Sequence, residues 1–356
     1  MSLAVSHDVP VADTSASDRS AVDRRSTSTS FTPRVDAPVP VQRGSFPLQL
    51  NLRHGGSVDV VLRWQILGAE ERAVCIVLGG ISANRQLAAN AIDPSEGWWP
   101  QQVKRGGALD PWQRRLLSID WIGADGTLDQ AIDPDDQAQA IAALLEHLQI
   151  SRVQACVGAS YGAMVGLHLA KRLGARLGHL VVLNAAHQPH PFASAWRSIQ
   201  RRIVRLGAAH DASVEAVALA RALAVLSYRT PQEFAARFAA PVQIEDGIAR
   251  SAAEPYLEAQ GERFAQRFAA TAYLRLSESI DLHRIDPAGI SVPVTVVGVR
   301  NDQIVPVEDV RALAADLPQL HRYHEFDSLF GHDAFLKEDA RVHDVLTEAL
   351  ARGGVA

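Results

Sequence analysis

From Ser45 onward the chain is organised as short apolar runs separated by polar turns and by stretches of helical periodicity. "SFPLQLNLRHGGSVDVVLRWQIL" alternates apolar and polar positions around Gly55-Gly56, which predicts a β-hairpin turned at the glycine pair. "RAVCIVLGGIS", "RRLLSIDWIG", "VQACVGAS" and "LGHLVVLNAA" carry continuous apolar runs of strand length, the pattern of strands buried on both faces. Between the second and third of these, "DPDDQAQAIAALLEHLQI" opens on acidic residues and repeats Ile141, Leu144, Leu145 and Leu148 at helical spacing. Another helix is expected from about residue 161. Such alternation predicts an α/β fold of parallel strands joined by crossover helices.

The alternation stops near His190 and resumes at "VPVTVVGVRND", from residue 293. In between, "FASAWRSIQRRIVRLG", "SVEAVALARALAVLSYRT", "PQEFAARFAA" and "EPYLEAQGERFAQRFAATAYLRLSESI" all read as helices. Residues 190–290 are therefore expected to form a helical lid inserted before the next strand. "HRYHEF" predicts the last strand and "DARVHDVLTEALARG" the closing helix, so the core comprises 44–189 and 291–356. Residues 1–43 are rich in Ser, Asp, Arg, Pro and Val and lack the apolar segment of a secretory signal, so they read as a flexible leader.

Composition narrows the partners. A net charge of −5 supplies no basic footprint for nucleic acid, and no apolar run reaches the roughly 18 residues of a membrane span, so a small-molecule substrate is expected. Cys75 and Cys156 each sit in an apolar run, outside any CxxC or Cys/His cluster. They read as reduced core residues, which suits a cytoplasmic protein with no metal site.

"GASYG", residues 158–162, fits G-x-S-x-G between a predicted strand and a predicted helix. Alone, the pattern fits a serine in a tight turn as well as a nucleophile. A serine hydroxyl needs a histidine base and an acid to orient that base, in the chain order Ser, Asp or Glu, His. Asp302 follows a predicted strand and His332 lies in the loop after the last one, which completes Ser160 into a candidate triad. The backbone N–H of Tyr161 and that of Ile81, in "LGGIS", are the candidate oxyanion donors.

Four further segments, "EGWWPQQVKRGGALD", "GASYGAMVGLHLA", "LARALAVLSYRTPQEFAARF" and "GHDAFL", resemble the homoserine O-acyltransferase family of the α/β-hydrolase fold, enzymes of methionine biosynthesis, over residues 50 to 350. The resemblance implies a mostly parallel central sheet flanked by helices, with Ser160 as nucleophile, Asp302 as orienting acid and His332 as base. It also implies Arg221 on a lid helix as the ligand of the amino acid's carboxylate and Asp333 as that of its ammonium, with Tyr228 on nearly the same helical face as Arg221. The substrates would be L-homoserine and acyl-CoA, the latter a co-substrate rather than a bound cofactor, and the enzyme a homodimer with lid helices at its interface.

Departures bear on the donor. "GGISA" replaces the family's "HALTG", and the loop after "RRLLSIDWIG" lacks the usual glycine-rich stretch. Ile304 stands two residues after the acid, where the resemblance expects arginine in succinyl-CoA users, and so leans toward acetyl-CoA. Arg85 and Arg300 are alternative cations for a succinyl group. L-Serine as acceptor, or hydrolysis of an ester or thioester by the same triad, are the alternative activities.

Overall fold

The computed structural model describes residues 38–351. Its first half runs β1 (Val41–Asn51), β2 (Ser57–Leu67), β3 (Val74–Leu78), β4 (Arg115–Ile119), α1 (Pro134–His147), β5 (Ala155–Ala159), α2 (Tyr161–Leu173) and β6 (Leu180–Leu183). Every residue of β3, β5 and β6 is buried, which is why these runs show no alternation in the sequence. The hairpin of β1 and β2 begins earlier than its pattern suggested: Val41, Gln42 and Arg43 already pair with Leu67, Ile66 and Gln65. The end of the expected leader is thus sheet, held by Arg43 hydrogen bonds to Gln65 and Gln86 and an ion pair to Asp93 at 3.1 Å. Residues 1–37 lie outside the described residues.

The lid segment follows as α3 (Pro191–Ala208), α4 (Ser213–Tyr228), α5 (Pro231–Arg237), a hairpin of β7 (Gln243–Glu245) and β8 (Ile248–Arg250), α6 (Glu254–Ala265) and α7 (Ala270–Leu282). That small exposed hairpin is the one element there that helical periodicity does not reveal. The core resumes with β9 (Val294–Val299), α8 (Val307–Asp316), β10 (Leu320–Phe326), α9 (Ala334–Lys337) and α10 (Asp339–Ala351).

Eight strands form one sheet in the order β1-β2-β4-β3-β5-β6-β9-β10. β1 and β2 pair antiparallel, as do β2 and β4; every later neighbour is parallel. Parallel pairing places the C-terminal ends of β5, β9 and β10 along one edge, and the segments bearing Ser160, Asp302 and His332 all leave from that edge. Cys75 and Cys156 are free and buried on the strands, where burial pushes the Cys75 thiol up to about 12. Neither is poised for thiolate chemistry.

The turn after β5 depends on its two glycines. A Cβ on Gly162 would lie 2.3 Å from the Leu78 carbonyl oxygen, and one on Gly158 would lie 2.5 Å from the Ala163 Cα. Both obstacles are backbone, so Gly162→Ala is expected to cost about 1–3 kcal/mol as overpacking. It should appear as a lower urea midpoint at unchanged slope, together with lost activity.

Candidate active site

Between β5 and α2 the chain reverses so sharply that Ser160 takes φ 54° and ψ −119°, a conformation that side chains other than glycine rarely adopt. The Gly162 amide donates to the Gly79 carbonyl and the Ser160 amide to Leu183, tying the turn to the strands on either side. This strained turn holds the Ser160 hydroxyl over the sheet edge at the N-terminus of α2.

The three residues of the expected triad meet. His332 Nε2 lies 2.8 Å from Ser160 Oγ, and His332 Nδ1 lies 2.6 Å from Asp302 Oδ2. The other carboxylate oxygen of Asp302 accepts from the backbone amides of Ile304 and Val305 at 2.9 and 3.0 Å, which fixes its plane. Burial alone would lower the His332 pKa; the charge and hydrogen bond of Asp302, helped by Asp333, more than offset it, so the imidazole titrates above its ordinary 6.5. Such a group accepts a proton from a neighbouring hydroxyl and holds it.

Sequence reasoning missed Asn184, which follows β6 directly with φ 53° and is 2 % exposed. Its Nδ2 donates at 3.3 Å both to Asp302 Oδ2 and to the His332 carbonyl, so one side chain clips the acid to the loop of the base. The available signal was an asparagine directly after a buried strand in "VVLNAA". The tryptophans of "EGWW" also acquire a purpose: Trp99 Nε1 donates to the Phe335 carbonyl at 3.1 Å, just beyond His332, while Trp98 stacks on it at 5.0 Å and faces the cavity.

Ser160 and His332 line a cavity of about 580 Å³ whose wall is completed by residues of α3 and α4. Ile81, Arg221, Tyr228 and Asp333 line it too. The Ile81 and Tyr161 amides donate to no protein acceptor among the described residues, as oxyanion donors require. The Tyr161 side chain points away, buried in the core with its hydroxyl 2.7 Å from Ser279 Oγ. Gly80 opens on the cavity, with nothing within 4 Å of where its Cβ would stand.

Among the described residues Arg221 makes no ion pair; its guanidinium lies over the rings of Tyr228 and Phe264 at 5.1 and 4.8 Å. The Tyr228 ring in turn lies 6.1 Å from that of His332. Asp333 is less free than its expected role suggests. Its Oδ2 lies 2.9 Å from Arg229 Nε, although that N–H is not aimed well enough for a hydrogen bond. Arg85 and Arg300 are not at the site: Arg85 reaches toward Asp120 at 3.7 Å, and Arg300 pairs with Glu325 and Asp327. Ile304 does line the cavity. Among the described residues no cluster of His, Cys, Asp and Glu could hold a metal, and no helix is long and apolar enough to cross a membrane.

A serine hydrogen-bonded to a histidine at a strained strand-to-helix turn, on a mostly parallel sheet, fits the α/β-hydrolase class, and the family model for the alpha/beta hydrolase fold matches residues 91–339. The chain is 50% identical over 329 residues to a homoserine O-succinyltransferase of Xanthomonas campestris pv. campestris, covering 92% of this chain and 89% of that protein. It is 32% identical to a homoserine O-acetyltransferase of Thermus thermophilus over 70% of this chain and 71% of the other. The crystal structure of homoserine O-acetyltransferase from Bacillus anthracis superposes with a TM-score of 0.78 at 16% identity, covering 88% of this chain and 98% of that one, a likeness of fold. The chain belongs to the homoserine O-acyltransferase family of α/β-hydrolase-fold enzymes.

Proposed function

We propose that the protein transfers a succinyl group from succinyl-CoA to the hydroxyl of L-homoserine through an acyl-enzyme on Ser160. The observation that carries the mechanism is the continuous Ser160–His332–Asp302 hydrogen-bond chain facing a cavity in which Arg221 has no acidic partner among the described residues. His332 Nε2 takes the Ser160 proton as Oγ bonds to the thioester carbon, and the carbonyl oxygen, now negative, sits against the amides of Tyr161 and Ile81. The C–S bond then breaks, and the departing CoA sulfur receives the proton from His332. In the second half His332 removes the homoserine hydroxyl proton, the resulting oxygen attacks the acyl carbon, and Ser160 regains its hydrogen.

Arg221 grips the carboxylate of homoserine, a group that the guanidinium fork fits. Asp333 meets the ammonium with the carboxylate oxygen not facing Arg229. Tyr228 closes the wall between Arg221 and His332 and helps keep water from the acyl-enzyme. Ile304 by itself favours an acetyl donor; the succinyl reading rests on the 50% identity to a homoserine O-succinyltransferase. The homodimer is proposed to form through the lid, where Leu206, Val214 and Leu219 are exposed.

CoA release from succinyl-CoA should require homoserine for turnover, and Arg221→Ala should raise the KM for homoserine at least about tenfold while a single-turnover burst of CoA survives. A steady release independent of any amino acid would mark a hydrolase instead. Loss of the burst would place Arg221 on the donor side.

A further inference from the structure

A succinyl donor differs from an acetyl donor by a free carboxylate two methylenes from the reacting carbon. A cavity that prefers it needs a cation within reach of Ser160 that is not already neutralised. Arg85 and Arg300, the cations first suggested by the sequence, do not line the cavity. Arg267 borders the cavity on the solvent side, and Arg221 is assigned above to the acceptor. The remaining arginine on the cavity wall is Arg197.

Arg197 projects from α3, and its side chain is 11% exposed. It forms part of an unbalanced cluster: Arg197 and Arg201 of α3 share the single carboxylate of Asp281 on α7. Arg197 Nε donates to Asp281 Oδ1 at 2.7 Å, and its Nη2 lies 2.6 Å from the same oxygen and 3.2 Å from Ser194 Oγ. Arg201 Nη1 occupies Asp281 Oδ2 at 2.7 Å and also donates to Ser277. Two guanidinium charges against one carboxylate leave one positive charge uncompensated within this cluster, of which Arg197 lines the cavity. On the Arg197 side, Nη1 makes no hydrogen bond among the described residues, while Nε and Nη2 are held so that the plane of the guanidinium is fixed. A preorganised cation loses little side-chain entropy on binding an anion. Its charge is also felt at His332, where it opposes protonation, which places it within electrostatic reach of the reacting centre.

We infer that Arg197 is the residue that selects the donor, by receiving the free carboxylate of a dicarboxylic acyl group on its Nη1 edge. The inference rests on the succinyl reading above and deepens it. It assigns the two cavity arginines to different substrates, Arg221 to the amino acid and Arg197 to the acyl group. It also removes the need for an arginine at position 304: a cation supplied from α3 across the cavity leaves the Ile304 side free to be apolar.

The test compares succinyl-CoA with butyryl-CoA, which has a similar chain and no charge, by the kcat/KM for CoA release at saturating homoserine. Arg197→Gln should lower the succinyl-to-butyryl ratio at least about tenfold, the loss of one charge-assisted hydrogen-bonded contact. Arg197→Lys, which restores a cation without the fork, should recover part of that ratio. A thermal melt of each variant checks that the α3–α7 contact survives, and because the readout is a ratio within one variant, partial misfolding does not move it. An unchanged ratio in Arg197→Gln, with a wild type that prefers succinyl-CoA, would overturn the inference and leave the succinyl reading standing. A rise in the KM for homoserine at constant ratio would also overturn it, by moving Arg197 to the acceptor. A wild-type enzyme with no preference for succinyl-CoA would instead overturn the reading on which the inference rests.

Discussion

Replacing Ser160 with alanine should lower kcat by about 10⁴- to 10⁶-fold, the range expected when the nucleophile of a triad is removed. The geometry leaves no substitute, because the atom 2.8 Å from His332 Nε2 is the Ser160 hydroxyl. Fold and binding should survive, since the positive φ at Ser160 is imposed by the surrounding turn and alanine tolerates it about as poorly as serine does. The measurement that separates this from a general defect is the intact mass of the protein after mixing with the acyl donor in the absence of acceptor. The wild type should gain one acyl group and Ser160→Ala none, while both retain similar denaturant midpoints. A variant that still became acylated would move the nucleophile elsewhere.

Asp302→Asn should be almost as damaging, with kcat reduced about 10⁴-fold. The reason lies in how the acid is held. Its Oδ1 faces the backbone amides of Ile304 and Val305, so an asparagine there must present its oxygen to those donors and its NH₂ group to His332. That NH₂ donates to His332 Nδ1 and drives the imidazole proton to Nε2, where it can no longer accept from Ser160. The same NH₂ also meets the amide of Asn184, donor against donor. The pH profile supplies an independent check. In the wild type the negative charge of Asp302 raises the His332 pKa, so activity should fall as pH drops through a value above 6.5. With that charge gone, burial acts with less opposition, and the acid limb of the residual activity should move to lower pH. A limb that stayed in place would mean that another group governs it.

Much of this arrangement was legible from residue order. The strands at "CIVL", "ACVGA" and "LVVL" announce themselves because a strand covered on both faces is apolar along nearly its whole length. The elbow was readable because two glycines are compulsory there, and Asp302 and His332 because each follows its own strand. What escaped depends on contacts between segments distant in sequence. Asn184 matters only through its two partners on other loops, and Arg43 counts as sheet only because β2 lies opposite. Arg197 is one of four arginines in α3, and its imbalance appears only once Asp281, 84 residues away, is found to serve two of them.

The junction between lid and base has its own consequence. Thr230, the N-cap of α5, donates to the Leu329 carbonyl at 2.5 Å, Gln303 donates to the Arg229 carbonyl at 2.8 Å, and Gly331 sits where any Cβ would come within 2.9 Å of the Tyr228 carbonyl. These contacts join the α4–α5 junction to the loops that carry Asp302 and His332, so a shift of one is expected to strain the other. Raising that junction would pull on the base and slacken its grip on Ser160. Water entering through such an opening would find the acyl group exposed but the proton acceptor out of line. On the proposed mechanism, an opening there that admits water thus disarms the chemistry that water would need.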